Sequence, residues 1–463
     1  MFAFYDFETT GTSPAFDQPI QFAAILTDDD LNQIERVNIR CRLSPHILPS
    51  PWAMVVTGVT SDQLTDPSIP SWFEFTQQLR EIVQRWAPAT WTGYNSLGFD
   101  EEFLRQSFYQ CLQPNLYETQ WNGNDRLDIL RVVYSAWELA PDILEWPLDD
   151  KGRNTFKLDR LAPANGFEHH DAHDALGDVE ATIHIARLVR DRAPEVWQQC
   201  LRNRSKNDVN DLLLTGQPLR LVERFGARPP RSYFGCFCGR NPDNPNSIGF
   251  YDLDGGDPAD LISASDDAVM AAVSATPKLI RSVAVNKVPS LFVMTPSDPV
   301  HDERAALIAS RQDFQLRVGQ ALAGRFADAE LPEHVEQQVY SGFYGAPDRQ
   351  RLEQWQDLDW SNRYQSVGSF DDVRLRQLAR RLVYLEHPEL LPGPVCESLH
   401  DQVQKRWATV GKVPWTTFQD VDNQLSEISS AGGVDAGHMA ELVSFYGTRR
   451  RVSVSTSKKT SEK

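Results

Sequence analysis

The chain has 463 residues, and 64 acidic against 46 basic side chains give it a formal net charge of -18. Hydrophobic residues make up 41% and charged residues 24%, which excludes a mostly disordered chain and, at about 150 residues per domain, suggests about three domains. No apolar run approaches the roughly 20 residues of a membrane span, the six cysteines are too few for a disulfide scaffold, and the start of the chain lacks a secretory signal. We therefore expect a cytoplasmic protein with no membrane partner.

The first 195 residues show short strands first and then helices mixed with further short strands. The predicted strands are 2–9, 21–27, 37–41 and 90–94, and the predicted helices are 73–86, 101–109, 128–140 and 173–192. Asp28, Asp29 and Asp30 form a solvated turn between two of the strands. This order predicts an α/β or α+β layer fold.

The rest of the chain divides into a β-rich part, residues 196–345, and a helical part, residues 346–448. The predicted strands are 219–225, 232–237, 248–253, 280–285 and 290–293, and the predicted helices are 266–275, 303–326, 371–385 and 436–445. Cys236 and Cys238 lack a second metal-binding pair, so we interpret them as buried strand residues. Residues 449–463 are basic and poor in apolar side chains, and we predict a disordered tail.

The negative charge is unevenly distributed along the chain. Residues 1–200 hold 30 acidic and 15 basic side chains, a balance of -15, and the remainder holds 34 and 31, a balance of -3. Within that remainder, residues 201–240 carry eight basic and three acidic side chains, a balance of +5. An acidic first part is thus followed by a locally basic segment.

Asp6 and Glu8 lie on the first predicted strand, separated by one residue. Residues i and i+2 of a strand point to the same face, so the two carboxylates should lie side by side. Oxygen ligands placed in this way suit a hard divalent cation such as Mg²⁺. Taken alone, the pair is equally typical of two solvated acids on an edge strand.

Two further groups of acidic side chains follow. Asp100 stands where a predicted strand and the loop 93–99 give way to a helix, a position also typical of an N-cap. Residues 168–178 concentrate three of the ten histidines with three aspartates, and Asp174 and Asp178 are four residues apart on one helix face. His169 and His173 could bind zinc, but no cysteine or further histidine pair completes a tetrahedral set.

The order of these groups is more specific than any one of them. The D-x-E of Asp6 and Glu8, then Asp100, then the H-x₄-D of His173 and Asp178 resemble the DEDDh class of 3′→5′ exonucleases. Within that class, segments 4–25, 161–169 and 172–175 resemble the bacterial exonuclease I family, and weaker likeness continues to about residue 392. The resemblance implies a ribonuclease H-like α/β exonuclease domain with a mixed sheet (residues 1–195). It also implies an SH3-like domain (196–345) and a helical C-terminal domain (346–448).

The resemblance also implies the chemistry. Asp6, Glu8, Asp100 and Asp178 would hold two Mg²⁺ ions, with Mn²⁺ as a substitute, and His173 would take the proton from the attacking water. The expected activity is stepwise hydrolysis of single-stranded DNA from its 3′ end to 5′-mononucleotides, in DNA repair and recombination. The expected partners are single-stranded DNA and the C-terminal tail of single-stranded DNA-binding protein, and the expected state is a monomer.

Several side chains are expected to contact the DNA strand. By resemblance these are Glu8, Thr9, Arg105 and Lys157. Tyr117 and Trp121 are further candidates for base stacking, but the aromatic residues of their segment are each displaced by one position from the family pattern, so the pair is equally typical of ordinary packed aromatic side chains. The basic segment offers further candidates for the DNA path, namely Arg202, Arg204, Lys206, Arg220 and Arg224, each of which is also typical of a solvated linker.

Three alternatives remain at this point. The first is an exoribonuclease of the DEDDh class that trims RNA 3′ ends, and the second is a catalytically inactive nucleic-acid-binding adaptor. The third is a zinc-binding interaction protein built on His169 and His173. The intact set of five catalytic positions and the length of the chain favour the exodeoxyribonuclease.

Overall fold

A mixed five-stranded sheet forms the centre of the first part of the chain in this computed structural model, which describes residues 1–167, 174–226, 228–325 and 330–460, with side chains to residue 451. Its strands are β1 (Phe2–Thr9), β2 (Pro19–Thr27), β3 (Gln33–Arg40), β4 (Thr90–Thr92) and β5 (Asp125–Arg126). They lie in the order β3-β2-β1-β4-β5. The pairs among β1, β2 and β3 are antiparallel, whereas β4 pairs in parallel with both β1 and β5.

Nine helices accompany this sheet in the described residues. They are α1 (Pro51–Thr57), α2 (Ser61–Thr65), α3 (Trp72–Arg85), α4 (Asp100–Gln110), α5 (Ile129–Leu139), α6 (Leu158–Ala164), α7 (Ala175–Arg192), α8 (Pro194–Arg202) and α9 (Lys206–Leu214). The side chains of β1 alternate between two cores, one on each face of the sheet. Phe2 and Phe4 pack on the side of α5 and α7, whereas Tyr5 and Phe7 pack on the side of α3 and α4.

The second part of the chain is built on an antiparallel sheet. Its strands are β6 (Leu219–Glu223), β7 (Arg231–Arg240), β8 (Ser247–Asp252), β9 (Ile280–Ala284) and β10 (Leu291–Val293), in the order β10-β6-β7-β8-β9. Cys236 and Cys238 are both fully buried on β7, as the sequence predicts. Helices α10 (Pro258–Ser263), α11 (Asp266–Ser274), α12 (Pro299–Ala309) and α13 (Gln312–Gly324) accompany the sheet.

The prediction of one continuous helix over residues 303–326 is wrong. Arg311 has φ -113° and ψ 77°, so the helix stops and a second one begins at Gln312. The break is fixed by side chains: Gln315 donates a hydrogen bond back to the carbonyl of Ile308, and Arg311 forms an ion pair with Asp313.

The last part of the chain is helical, as predicted, and it packs against the first part. Its α-helices are α14 (Ala346–Asp357), α15 (Trp360–Ser366), α16 (Val373–Glu386), α17 (Gly393–Trp407), α18 (Phe418–Ala431) and α19 (Ala436–Thr460). Trp355 and Leu378 belong to the same core as Tyr5 and Phe7 of β1. The helical region therefore completes the core on one face of the mixed sheet.

Residues 449–460 of the tail predicted to be disordered continue helix α19, and residues 461–463 lie outside the described residues. The Arg449 guanidinium donates a 3.0 Å hydrogen bond to the carbonyl of Ile47 and lies over the rings of Trp407 and Phe445. A basic side chain between two aromatic rings is stabilised by cation–π attraction, which the composition of the segment did not indicate. Among the described residues, no helix combines the length and the apolar character needed to cross a membrane.

The shared core generates a prediction. Trp355 is 1% exposed in the core common to the first and last parts of the chain. Its replacement in Trp355→Ala should lower the free energy of unfolding by about 3–5 kcal/mol, because a large cavity would be left. Urea denaturation followed by circular dichroism measures the change.

The matched control is Trp121→Ala, since Trp121 is 63% exposed and its loss should change the free energy by less than about 0.5 kcal/mol. Equal effects of the two substitutions would contradict the shared core.

Candidate active site

Asp6 and Glu8 continue the β1 face that faces α7. Phe2 and Phe4 of that face pack in one core with Val179 of α7. The strand period of two then carries the next two side chains of the face, those of Asp6 and Glu8, towards the beginning of the same helix. The sequence prediction of a shared face is confirmed.

A third carboxylate meets this pair. Asp178 lies in the first turn of α7, and the carboxylate oxygens of Asp6, Glu8 and Asp178 lie within 4.8 Å of one another. Glu8 is buried, and the other two side chains are half-buried. Three like charges at this spacing repel one another strongly, and their oxygens are the ligands that Mg²⁺ and Mn²⁺ prefer. The donor set therefore fits a hard divalent cation.

Burial and the nearby acids raise the pKa values of the two carboxyl groups on β1. Burial raises the pKa of Asp6 well above its usual value, and the charges of Asp100 and Asp178 raise it further. Burial, followed by repulsion from Asp178 and Asp100, raises the pKa of Glu8 to about 8. A cation among these oxygens would favour the ionised forms.

Asp100 is placed by the parallel pairing of β4 with β1. It is the first residue of α4, and its Oδ1 accepts a 3.0 Å hydrogen bond from the backbone N–H of Phe7 on β1. The interpretation as an N-cap is wrong, because Phe99 occupies the cap position and the Asp100 side chain points to the first strand. Burial outweighs that hydrogen bond and raises the pKa of Asp100 to about 8.

Asp128 fixes the loop that presents Asp100. Its buried carboxylate accepts hydrogen bonds from the backbone N–H groups of Asn95 (3.0 Å), Leu97 (3.2 Å) and Leu130 (3.0 Å). It therefore ties the loop after β4 to the start of α5. The sequence shows Asp128 before an apolar helix, a typical N-cap position, but it does not show the two bonds to the distant loop.

The described structure begins again at Asp174, directly after His173. Gln21 of β2 donates a 2.8 Å hydrogen bond to Asp174 Oδ1, which anchors the start of α7 to the sheet. His173 itself and the proposed zinc pair of His169 and His173 lie outside the described residues. The contact between Gln21 and Asp174 joins positions 153 residues apart, and no pattern in the sequence indicated it.

A buried ion-pair network lies beneath Asp100. Glu101 accepts hydrogen bonds from Arg105 (3.0 Å), Arg126 (3.2 Å) and Thr119 (2.8 Å), and Arg105 also binds Glu102 and the Tyr340 hydroxyl. Arg105 is thus a buried support of α4. Its predicted contact with DNA stays a prediction.

The other predicted DNA contacts lie at different depths. Tyr117 is half-buried, with the Arg105 guanidinium 4.9 Å from its ring centre, whereas Trp121 and Lys157 are exposed. Thr9 is buried beside Glu8, and its hydroxyl donates a 2.7 Å hydrogen bond to the carbonyl of Gly11. The structure brings only Thr9 next to the carboxylates, and all four DNA contacts stay predictions.

Several side chains of the basic segment 201–240 already have partners within the protein. Arg204 forms an ion pair with Asp125, and Arg220 lies over the ring of Phe234. Arg224 stacks over Tyr134 and lines a cleft of about 420 Å³ between α5 and the second sheet (the α5 cleft), whereas Arg202 and Lys206 lie at the end of α8 and the start of α9. Of the five candidates, Arg224 lies in a cleft that also holds Arg131 and Lys287.

Comparison with known proteins adds a family to this geometry. A family model described as exonuclease, of the RNase T type, matches residues 3–186. Exodeoxyribonuclease I of Haemophilus influenzae is 30% identical over 415 residues, which cover 81% of this chain and 84% of that protein.

Solved structures resemble the whole chain. Exonuclease I from Methylocaldum szegediense has a TM-score of 0.83 at 27% identity, and Escherichia coli exonuclease I in complex with a dA16 oligonucleotide has a TM-score of 0.80 at 25% identity. Each match covers 97% of this chain and 99% of the other. The predicted fold class is confirmed, whereas the SH3-like character of residues 196–345 and the domain boundaries stay predictions.

The raised pKa values predict how cation binding depends on pH. Glu8 and Asp100, with pKa values near 8 against usual values of 4.5 and 3.8, hold protons more tightly in the folded protein than in the unfolded one. The cation-free protein should therefore lose stability as the pH rises from about 4 to about 8. Mg²⁺ binds the ionised carboxylates, so it should raise Tm more at about pH 8.5 than at about pH 5.5.

Differential scanning fluorimetry with Mg²⁺ or EDTA measures this effect. In Glu8→Gln the difference between the two pH values should shrink, because one titrating ligand is lost. An equal gain in Tm at both pH values in the unaltered protein would contradict the assignment of these carboxyl groups as cation ligands.

Asp128 generates a second prediction. Asp128→Asn keeps the side-chain size but replaces one acceptor oxygen by a donor, so a backbone N–H of the loop loses its partner. The loop that carries Asp100 should loosen, and Mg²⁺ affinity should fall by about 10–100-fold, as is usual when the support of a metal ligand is removed. Isothermal titration calorimetry measures the affinity.

The control is Asp125→Asn, which alters an acid of β5 that pairs with Arg204 and accepts no hydrogen bond from this loop. Unchanged Mg²⁺ affinity in Asp128→Asn would show that Asp128 does not position Asp100.

Proposed function

This chain belongs to the exodeoxyribonuclease I family, and from that premise we propose that it degrades single-stranded DNA from the 3′ end and releases 5′-mononucleotides. The observation that carries the proposal is the meeting of Asp6, Glu8 and Asp178 within 4.8 Å, at the end of the strand that opens the exonuclease region. The exonuclease assignment makes it a phosphodiester hydrolase. DNA repair and recombination are the processes that such an activity would serve.

The family depends on divalent metal, and the carboxylates of this chain suit it. We propose two Mg²⁺ ions, replaceable by Mn²⁺, held by Asp6, Glu8 and Asp178 with Asp100 completing the set. Bound there, they would activate water and stabilise the leaving 3′-oxygen. The protein's own contribution is to hold the four acids in place against their mutual repulsion. Phe7 donates a hydrogen bond to Asp100, and the bond from Gln21 to Asp174 anchors the start of α7, the helix that carries Asp178.

His173 would accept the proton of the attacking water. Its ordinary pKa lies near neutral pH, so it can take a proton in one step and lose it in the next. Asp174, the neighbouring residue, is held to β2 by Gln21.

The DNA strand would follow the α5 cleft. Arg131, Arg224 and Lys287 line it together with the rings of Tyr134 and Phe225, which is the combination of cations and aromatic surfaces that single strands require. The complex of Escherichia coli exonuclease I with a dA16 oligonucleotide supports single-stranded DNA as the substrate of this chain.

The alternatives are not favoured. The RNA-trimming exonuclease and the inactive adaptor lack support from the relatives, which are exodeoxyribonucleases, and the acidic positions are intact. Binding to the tail of single-stranded DNA-binding protein, a monomeric state and a cytoplasmic location stay predictions.

The experiment is a digestion assay on labelled single-stranded DNA, duplex DNA and RNA, each with Mg²⁺ or EDTA. We expect the unaltered protein to shorten single-stranded DNA from its 3′ end, with products that run as mononucleotides, and EDTA to stop the reaction. Asp178→Asn and His173→Ala should each reduce the rate by at least about 100-fold, because a cation ligand or the general base is lost.

The matched control is Asp191→Asn, an exposed acid near the far end of α7 that should leave the rate unchanged. Preference for RNA would overturn the substrate, activity in EDTA would overturn the metal, and full activity of Asp178→Asn would overturn the site.

A further inference from the structure

A second cleft, the terminal cleft, opens directly beside the carboxylates. Its volume is about 510 Å³, within the range of about 300–1,000 Å³ that small-molecule sites occupy. Glu8 and Thr9 line its inner end, and Phe7 and Phe99 add apolar surface there. Because Glu8 belongs to both the carboxylate cluster and this terminal cleft, whatever enters the cleft lies next to the reacting phosphate.

Helix α1 supplies one wall of the terminal cleft. Trp52 and Val56 are one helical turn apart on the same face, and they remain 37% and 46% exposed, whereas Met54 on the opposite face is buried in a core. A large indole and a branched aliphatic side chain thus present a partly exposed apolar surface to the cleft beside the carboxylates.

The indole of Trp52 is held at one edge only. Its Nε1 donates a 3.3 Å hydrogen bond to Glu427 of α18, and its backbone N–H donates a 3.3 Å hydrogen bond to Gln424. The ring edge is therefore fixed in orientation by the C-terminal helical region, while the side chain remains open to the cleft. A flat aromatic surface fixed in this way is suited to stacking.

The C-terminal segment completes the opposite wall. Val413, Pro414 and Trp415 line the terminal cleft, and Trp415 is itself held by a 2.8 Å hydrogen bond from its Nε1 to the carbonyl of Arg406 and by packing on Phe16. The two ends of the chain thus enclose a space that begins at Glu8.

A 3′ exonuclease holds the last nucleotide of its strand beside its carboxylates, and we propose that in this chain Trp52, which lines the terminal cleft there, stacks on the base of that nucleotide. This inference rests on the proposed function, since it names the occupant from its continuity with the carboxylates that would cut behind that nucleotide. Stacking on an indole requires only the flat face that every base has, so the contact would hold any of the four bases. It makes Trp52 a substrate-binding residue supplied by α1 and oriented by α18.

The test is steady-state digestion of single-stranded DNA by Trp52→Ala and Trp52→Phe. Loss of one stacked base should raise KM by about tenfold in Trp52→Ala with kcat changed less than about twofold, because the carboxylates are untouched. Trp52→Phe keeps a flat ring but loses the bond to Glu427, so it should restore most of the affinity. If the residue only anchored α1 to α18, Trp52→Phe and Glu427→Met, each of which removes the hydrogen bond between the two helices, would weaken binding as much as Trp52→Ala does.

A second readout places the contact on the strand. A 2-aminopurine at the last position, bound in EDTA so that it is not cut, should be quenched by the unaltered protein and much less by Trp52→Ala, whereas the same base five positions inward should respond equally to both. Equal quenching at the last position would overturn the inference, as would an unchanged KM in Trp52→Ala. If the unaltered protein fails to digest the DNA at all, the proposed function fails instead.

Discussion

The repulsion among Asp6, Glu8 and Asp178 is the constraint on which the rest of the molecule depends. Their oxygens lie within 4.8 Å of one another, and Asp100 adds a fourth acid whose charge acts on the first two. Without a cation such a cluster destabilises the folded state, because burial first, and then the repulsion between the acids, raise the pKa values of Asp6 and Glu8. The packing of the surrounding structure must therefore hold the acids close together. A bound cation would neutralise their charges, so the same cluster serves as a cation-binding site.

The packing that resists this repulsion comes from the whole chain. The face of β1 opposite Asp6 lies on a core that includes Trp355 and Leu378, and the loop carrying Asp100 is tied to α5 by Asp128. Distant residues thus stiffen the site that the first strand presents. The four acids of the candidate cation site all belong to the acidic first 200 residues, while Arg224 and Lys287 of the α5 cleft come from the later, less acidic part of the chain.

Local patterns in the sequence predicted most of the elements and the identity of the acids. Strand alternation placed Asp6 and Glu8 on one face, and the order of acids along the chain pointed to the exonuclease family. Contacts between distant residues could not be predicted in this way, because periodicity describes one element at a time. The bond from Gln21 to Asp174, the loop held by Asp128, the burial of Arg105 and the stacking of Arg449 on Trp407 all depend on which elements meet. The continuation of α19 through residues 449–460 also depends on contacts between distant residues, such as that of Arg449 with Trp407.

The most direct measurement of the central claim is anomalous diffraction from crystals of the protein grown with Mn²⁺ in the absence of DNA. If the acids form a cation site, the anomalous difference map should show a peak in contact with the carboxylates of Asp6, Glu8 and Asp178. A map with no peak at this cluster, in crystals that bind Mn²⁺ elsewhere, would contradict the account.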